Sequence, residues 1–160
     1  MDEHKKWLNN FNPNLGNYIS GFTDGEGSFN VSLKKREDYK NSWKLSPSFN
    51  ISQKDRVILA LFKKELGFGT LRERKDGIVY YEVTNIEILQ KRVIPFFKKF
   101  HFLSANKKKN FYIFANIINL IYKKEHLQQD GFKKILELRE KLNFGIGRTR
   151  KYNIQDVIKK

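Results

Sequence analysis

No cysteine occurs in the chain, which excludes disulfides and thiolate metal sites. The three histidines, His4, His101 and His126, are too scattered to assemble a histidine-rich metal site or a histidine-based nuclease motif. No run approaches the roughly 18 apolar residues a transmembrane helix needs. The segment MDEHKKWLNN lacks the apolar stretch of a signal peptide. A soluble, intracellular protein is the expectation. Acids are the scarce charge: 17 Asp and Glu stand against 32 Lys and Arg, a net charge of +15. The pI of 9.9 exceeds the value of about 9 that marks nucleic-acid-binding domains. Ribosomal and membrane-surface proteins share such charge, so the excess names a polyanionic partner and nothing finer.

What the chain does contain is a core. Apolar residues make up 39% and aromatics 14%, with fourteen phenylalanines against one methionine, a composition for rigid ring packing. The 160 residues fit one domain, 1–160. Residues 1–13 read as a flexible polar lead ending at Pro13, and Asn14 as the cap of a helix carrying Leu15, Tyr18, Ile19 and Phe22 at helical spacing. That helix should stop near Gly25 to Gly27. Phe29, Val31 and Leu33 then alternate with polar residues, and after the loop KKREDYKN so do Leu45, Phe49 and Ile51; both runs read as antiparallel strands with one buried face. Asp55 opens a helix that Gly67 ends. A second hairpin turns at Lys75-Asp76-Gly77. Helices are expected over 86–98 and 107–123, with Asn85 and Asn106 as caps, and over 131–142. Residues 143–160 form a basic loop and a terminal helix. The class is α+β in one domain.

Several groups carry chemistry. The polar sides of the hairpins hold Ser28, Asn30, Ser32, Lys34, Lys44, Ser46, Ser48 and Asn50, then Arg72, Arg74 and Tyr80. A solvated sheet face is the plain reading. Yet Lys, Arg, Asn and Ser are also the side chains that read base edges and hold phosphates. GFGT at 67–70 lacks dinucleotide-fingerprint spacing and reads as a helix cap and turn. Lys107, Lys108 and Lys109 stand where a helix begins, a poor place for cations against the macrodipole unless an anion lies nearby.

The stretch YISGFTDGEGSF, residues 18–29, is less ordinary. A helix end before a strand accounts for Gly25 or Gly27, but not for three glycines with Asp24 and Glu26 among them. Gly21, one turn before Gly25, would let another backbone approach closely. Acids at a helix C-terminus oppose the dipole. Two such carboxylates in a basic chain fit a hard cation such as Mg²⁺, which takes one or two carboxylates plus phosphate oxygens and water.

ISGFTDGEG, residues 19–27, resembles the signature of the LAGLIDADG homing endonucleases, and FNISQKD at 49–55, GFGTLRER at 67–74 and the tail LNFGIGRTRK extend the resemblance over roughly residues 14–158. It implies the order αββαββα, a four-stranded antiparallel saddle-shaped sheet with helices on one face, and extra C-terminal helices. It also implies double-stranded DNA as partner, no membrane and no small-molecule substrate. With one motif per chain, the motif helix 15–24 would join a homodimer on a pseudo-palindromic target of roughly 20 base pairs. Cuts across the minor groove would leave short 3′ overhangs.

Carried over residue by residue, the resemblance makes Glu26 and the Gly25 carbonyl the metal ligands. Gln53 would position the attacking water, with Arg56 and Lys107 as the active-site cations. Arg36, Arg148, Arg150 and Lys151 would join the hairpin residues on DNA. Mg²⁺ would be the cofactor, Mn²⁺ a substitute, and Ca²⁺ a support for binding without cleavage. An RNA-binding intron maturase of the same fold, or a non-catalytic basic module, are the alternatives. Richness in Lys, Asn, Ile and Phe hints at an AT-rich genome, such as that of a mitochondrion or chloroplast.

Overall fold

The computed structural model describes residues 2–145 and 149–158. Helix α1, Glu3–Asn10, is capped by Asp2, and its Trp7 packs edge-on against Phe11 and Phe68. The expected flexible lead is therefore a docked helix. Trp7 and Phe11, one turn apart, give an otherwise polar segment one apolar stripe to bury. Helix α2, Pro13–Glu26, is capped by Asn12 in place of the expected Asn14: the Asn12 carboxamide oxygen accepts from the Asn14 and Leu15 amides, and Pro13 occupies the first turn, where its missing N–H costs nothing.

Helix α2 runs into strand β1, Gly27–Lys35, with no intervening loop. Gly27 makes that junction possible, because a Cβ there would lie 2.4 Å from the Thr23 methyl and 2.7 Å from its carbonyl oxygen. Strand β2, Trp43–Gln53, pairs antiparallel with β1. Helix α3, Arg56–Leu66, opens on the Asp55 cap and ends at Gly67, whose φ of 78° is the left-handed conformation glycine adopts freely. Strands β3, Thr70–Glu73, and β4, Val79–Val83, form the second hairpin, and the sheet order is β1-β2-β4-β3.

Asn85 caps helix α4, Ile86–Ile88, which continues through a π turn, Leu89–Val93, into α5, Ile94–Lys99. Pro95 has no N–H to give, so the hydrogen-bond ladder must change step near it. Helix α6, Ala105–Tyr122, is capped by Ser104, not by Asn106. Helix α7, Gln129–Lys141, and the short α8, Ile154–Ile158, complete the chain. Phe29, Phe49, Phe97, Phe102, Phe111 and Phe114 meet between β1, β2 and the helices in stacked, tilted and edge-to-face pairs. Among the described residues no helix is long and apolar enough to cross a membrane.

Candidate functional site

The end of α2 carries Asp24 and Glu26, and the chain brings a third group to them. Asp24 accepts from the backbone amides of Leu103 (3.0 Å) and Ser104 (3.1 Å) and from the Ser104 hydroxyl. It is thus the anion at the start of α6 that the placement of Lys107–Lys109 calls for. Burial pushes the Asp24 carboxyl up, but the Ser104 hydroxyl and amide, the Leu103 amide and the charge of Lys107 outweigh it and hold it below the usual carboxylate range.

Lys107 is half-buried in the first turn of α6. Its ammonium donates to the Gly27 carbonyl, at the first residue after the acids. Burial lowers its pKa, and the charges of Asp24 and Glu26 act in the opposite direction. Lysine and the two acids therefore share one electrostatic site, although 80 residues separate Lys107 from Gly27.

Glu26 is exposed at the helix end. Among the described residues no three His, Asp or Glu gather into a group that could enclose a metal. With Asp24 engaged at α6, Glu26 and neighbouring backbone oxygen make an open, oxygen-only donor set. Such a set suits a hard cation that completes its shell with water and phosphate.

Gln53 ends β2, two residues beyond Ile51, the register partner of Gly27, so it stands at the same end of the sheet as Glu26. Its carboxamide oxygen accepts from the Lys54 amide at 2.8 Å. Arg56, the first residue of α3, pairs with Glu73 at 3.7 Å, a partner the linear sequence does not signal.

The polar residues of the first hairpin pair off across the strands: Ser28 with Asn50, Asn30 with Ser48, Ser32 with Ser46, Lys34 with Lys44. The second hairpin extends the rows, with Asn50 beside Glu82, Glu82 beside Thr70, and Tyr80 beside both Ser52 and Arg72. Ser52, Thr70 and Glu82 belong to this face and were missed, although Ser52 simply continues the alternation of residues 44 to 50.

The arginines differ from one another. Arg72 pairs with Glu82 at 3.6 Å and is well exposed, while Arg74 pairs with Asp76 at 3.0 Å and donates to the Tyr80 hydroxyl. Arg36 is held two-handed by Asp38, at 2.8 and 2.7 Å. Arg150 turns inward, donating to the Leu142 carbonyl and pairing with Glu140. Lys151 is exposed over the Tyr152 ring. Arg148 lies outside the described residues.

Arg139, which nothing in the sequence marks, is 4% exposed and donates to the Val31 carbonyl at 2.6 Å and the Tyr152 carbonyl at 3.0 Å. Burial, with the neighbouring charge of Arg150, pushes its pKa down to about 10 against the pull of Glu140.

The end of α2 thus sets two acids beside a tethered lysine, next to a broad polar sheet face. A sequence model described as LAGLIDADG endonuclease matches residues 19–118. The chain is 34% identical over 145 residues to a probable intron-encoded endonuclease 2 of Neurospora crassa, covering 88% of this chain and 32% of that protein. It is 29% identical to the homing endonuclease I-ApeII of Aeropyrum pernix, covering 65% of this chain and 62% of that one. The archaeal intron-encoded homing endonuclease I-Vdi141I, solved in complex with DNA, superposes with a TM-score of 0.83 at 35% identity, covering 89% of this chain and 91% of that one. I-SmaMI bound to cleaved DNA gives 0.77 at 30% identity over 83% of this chain and 45% of that one. This chain belongs to the LAGLIDADG endonuclease family. It spans 32% and 25% of the length of the two Neurospora relatives it matches.

Proposed function

We propose that the protein is a site-specific DNA endonuclease that acts as a homodimer through α2 and cleaves both strands of a pseudo-palindromic site. The observation that carries this reading is the tether of Lys107 to the Gly27 carbonyl, one residue beyond Glu26 at the end of α2, beside the paired polar rows of the sheet. The homing endonucleases above, two of them solved on DNA, support the class of substrate. The size of the sheet supports its form. Nine register rows join β1 to β2, a run of roughly 27 Å at about 3.3 Å per residue, comparable to roughly eight base pairs at about 3.4 Å each. Two such faces with a central gap match a target of roughly 20 base pairs.

Glu26 and the Gly25 carbonyl would hold Mg²⁺. The bound cation supplies Lewis acidity at the scissile phosphate and lowers the pKa of its water. The chain supplies the rest. Lys107 presents positive charge from a half-buried tether, which strengthens its pull on a phosphate oxygen as charge develops there. Gln53 directs its carboxamide toward the attacking water. Arg56 must leave Glu73 to reach the phosphate. Asp24 holds the start of α6, and so Lys107, in place. Because Glu26 serves one strand, the second cut requires the second subunit, which gives short 3′ overhangs across the minor groove.

The exposed face of α2 supports the homodimer: Asn14, Asn17, Tyr18, Gly21 and Gly25 form one stripe, and none of the described residues lies within 4 Å of a Cβ built on Gly21 or Gly25. The sheet residues Ser28 to Asn50, with Arg72 and Arg74, would contact the flanking major grooves. The intron-encoded relatives support an organellar origin. The test is selection of bound duplexes from a randomised pool in Ca²⁺, followed by cleavage of the selected site in Mg²⁺, Mn²⁺ and EDTA. Cleavage in EDTA, or no cleavage in either metal, would overturn the reading.

A further inference from the structure

β1 is an edge strand, and three side chains close that edge by donating to alternate carbonyls: Lys107 to Gly27, Asn143 to Phe29 at 2.7 Å, and Arg139 to Val31 at 2.6 Å. The middle donor does more. Asn143 follows α7 with a φ of 55°, and its backbone amide donates at 2.9 Å to the side chain of Asn110, a buried residue of α6. Thus anchored, its carboxamide nitrogen also lies 3.5 Å from the carboxamide oxygen of Asn30 on the sheet face. The Asn30 nitrogen in turn donates to the Ser28 hydroxyl at 2.9 Å.

A carboxamide on a solvated sheet face has two nearly equal orientations, since exchanging its O and N changes little sterically. Here exchange would set two donors against each other at Asn143. Asn30 is thus held with its oxygen toward Asn143 and its nitrogen toward Ser28, leaving one lone pair of that oxygen and one N–H for a base. Together they match N6 and N7 of adenine.

We infer that Asn143 is a positioning residue for base recognition: it touches no base, but by fixing the Asn30 carboxamide it sets an adenine preference at the position Asn30 faces. The inference rests on the DNA-binding reading above. Edge closure alone would require Asn143 for stability and leave base preference untouched.

The test uses the full chain and a randomised duplex pool in Ca²⁺, with wild type, Asn143→Gly, Asn143→Asp and Asn30→Ala compared. Glycine keeps the positive φ and removes the amide. Asn143→Gly should lose the same adenine preference as Asn30→Ala, keep the rest of the consensus, and bind the preferred site about tenfold more weakly. Asn143→Asp, which gives up the bond to the Phe29 carbonyl and offers Asn30 only acceptors, should reverse the Asn30 carboxamide and disfavour adenine there. In the free protein, ¹⁵N relaxation should show the Asn30 side-chain amide ordered in wild type and mobile in Asn143→Gly; should the glycine variant not fold, the aspartate variant decides the case. A consensus unchanged in both variants, or an Asn30 amide equally ordered without Asn143, would overturn the role of Asn143 alone. No enrichment of any sequence by wild type would overturn the DNA reading itself.

Discussion

Asp24 and Ser104 are joined twice across 80 residues, once through the Ser104 amide and once through its hydroxyl. The carboxylate at the end of α2 thereby serves as a second cap for α6. It explains why three lysines tolerate the first turns of that helix.

Asp24→Asn should therefore cost stability. An exposed-side cap of this kind contributes about 1 to 2 kcal/mol. The charge adds a pH dependence. Because the folded carboxyl lies below its ordinary value of 3.8, its contribution is complete above that value and is lost as pH falls through the lowered one. Thermal unfolding of the two proteins should differ by a constant amount from pH 7 to 5, and the difference should shrink only as pH falls below about 3.8 and through the lowered value.

Glu26→Gln keeps shape and removes the charge that would hold Mg²⁺. Cleavage of the selected target in Mg²⁺ should fall by at least about a thousandfold, roughly 4 kcal/mol of barrier. Affinity in EDTA should hold or rise, because an anion facing phosphates is gone. Wild-type nicking by this variant would refute the assignment of Glu26.

Gly21 and Gly16 lie on the same helix and should respond in opposite ways. A Cβ on Gly21 meets nothing within 4 Å among the described residues of the monomer, and Gly21 is exposed, so Gly21→Leu should fold, with unchanged circular dichroism, and sediment as a monomer. A Cβ on Gly16 would lie 2.4 Å from the Phe100 ring, so Gly16→Ala should cost about 1 to 3 kcal/mol by overpacking. A Gly21→Leu dimer would rule out α2 as the interface.

Arg72→Ala should weaken target binding, by about 1 to 3 kcal/mol if the guanidinium reads a base. Equal losses on target and random duplexes would assign it to phosphate instead. Arg36→Ala should change affinity less, since Asp38 already occupies that guanidinium at both ends.

Much of the fold was legible because its signals are local. The two-residue pleat writes strands into β1 and β2 as alternation, and the same alternation named the polar face that pairs in register. Asp55, Gly67 and Gly77 act on their own backbone, so their turns and caps could be read directly. Caps went astray where neighbours compete: Asn12 and Ser104 each displaced an asparagine two residues later, because Pro13 and the Asp24 carboxylate favour the earlier start. The lead at 1–13 was misread because two aromatic rings suffice to dock a helix when a phenylalanine cluster waits for them.

The sequence by itself determined the element types, the excess of positive charge and the acidic helix end. Each of these depends on spacing within a turn or a pleat. Only the tertiary structure decided which acid is spent on α6 and which is left exposed, which lysine of three reaches Gly27, and why Arg139 and Asn143 matter. Those are matters of donors and acceptors brought together from 13 to 114 residues apart, and the strength of a hydrogen bond depends on distance in space, about which separation along the chain says almost nothing.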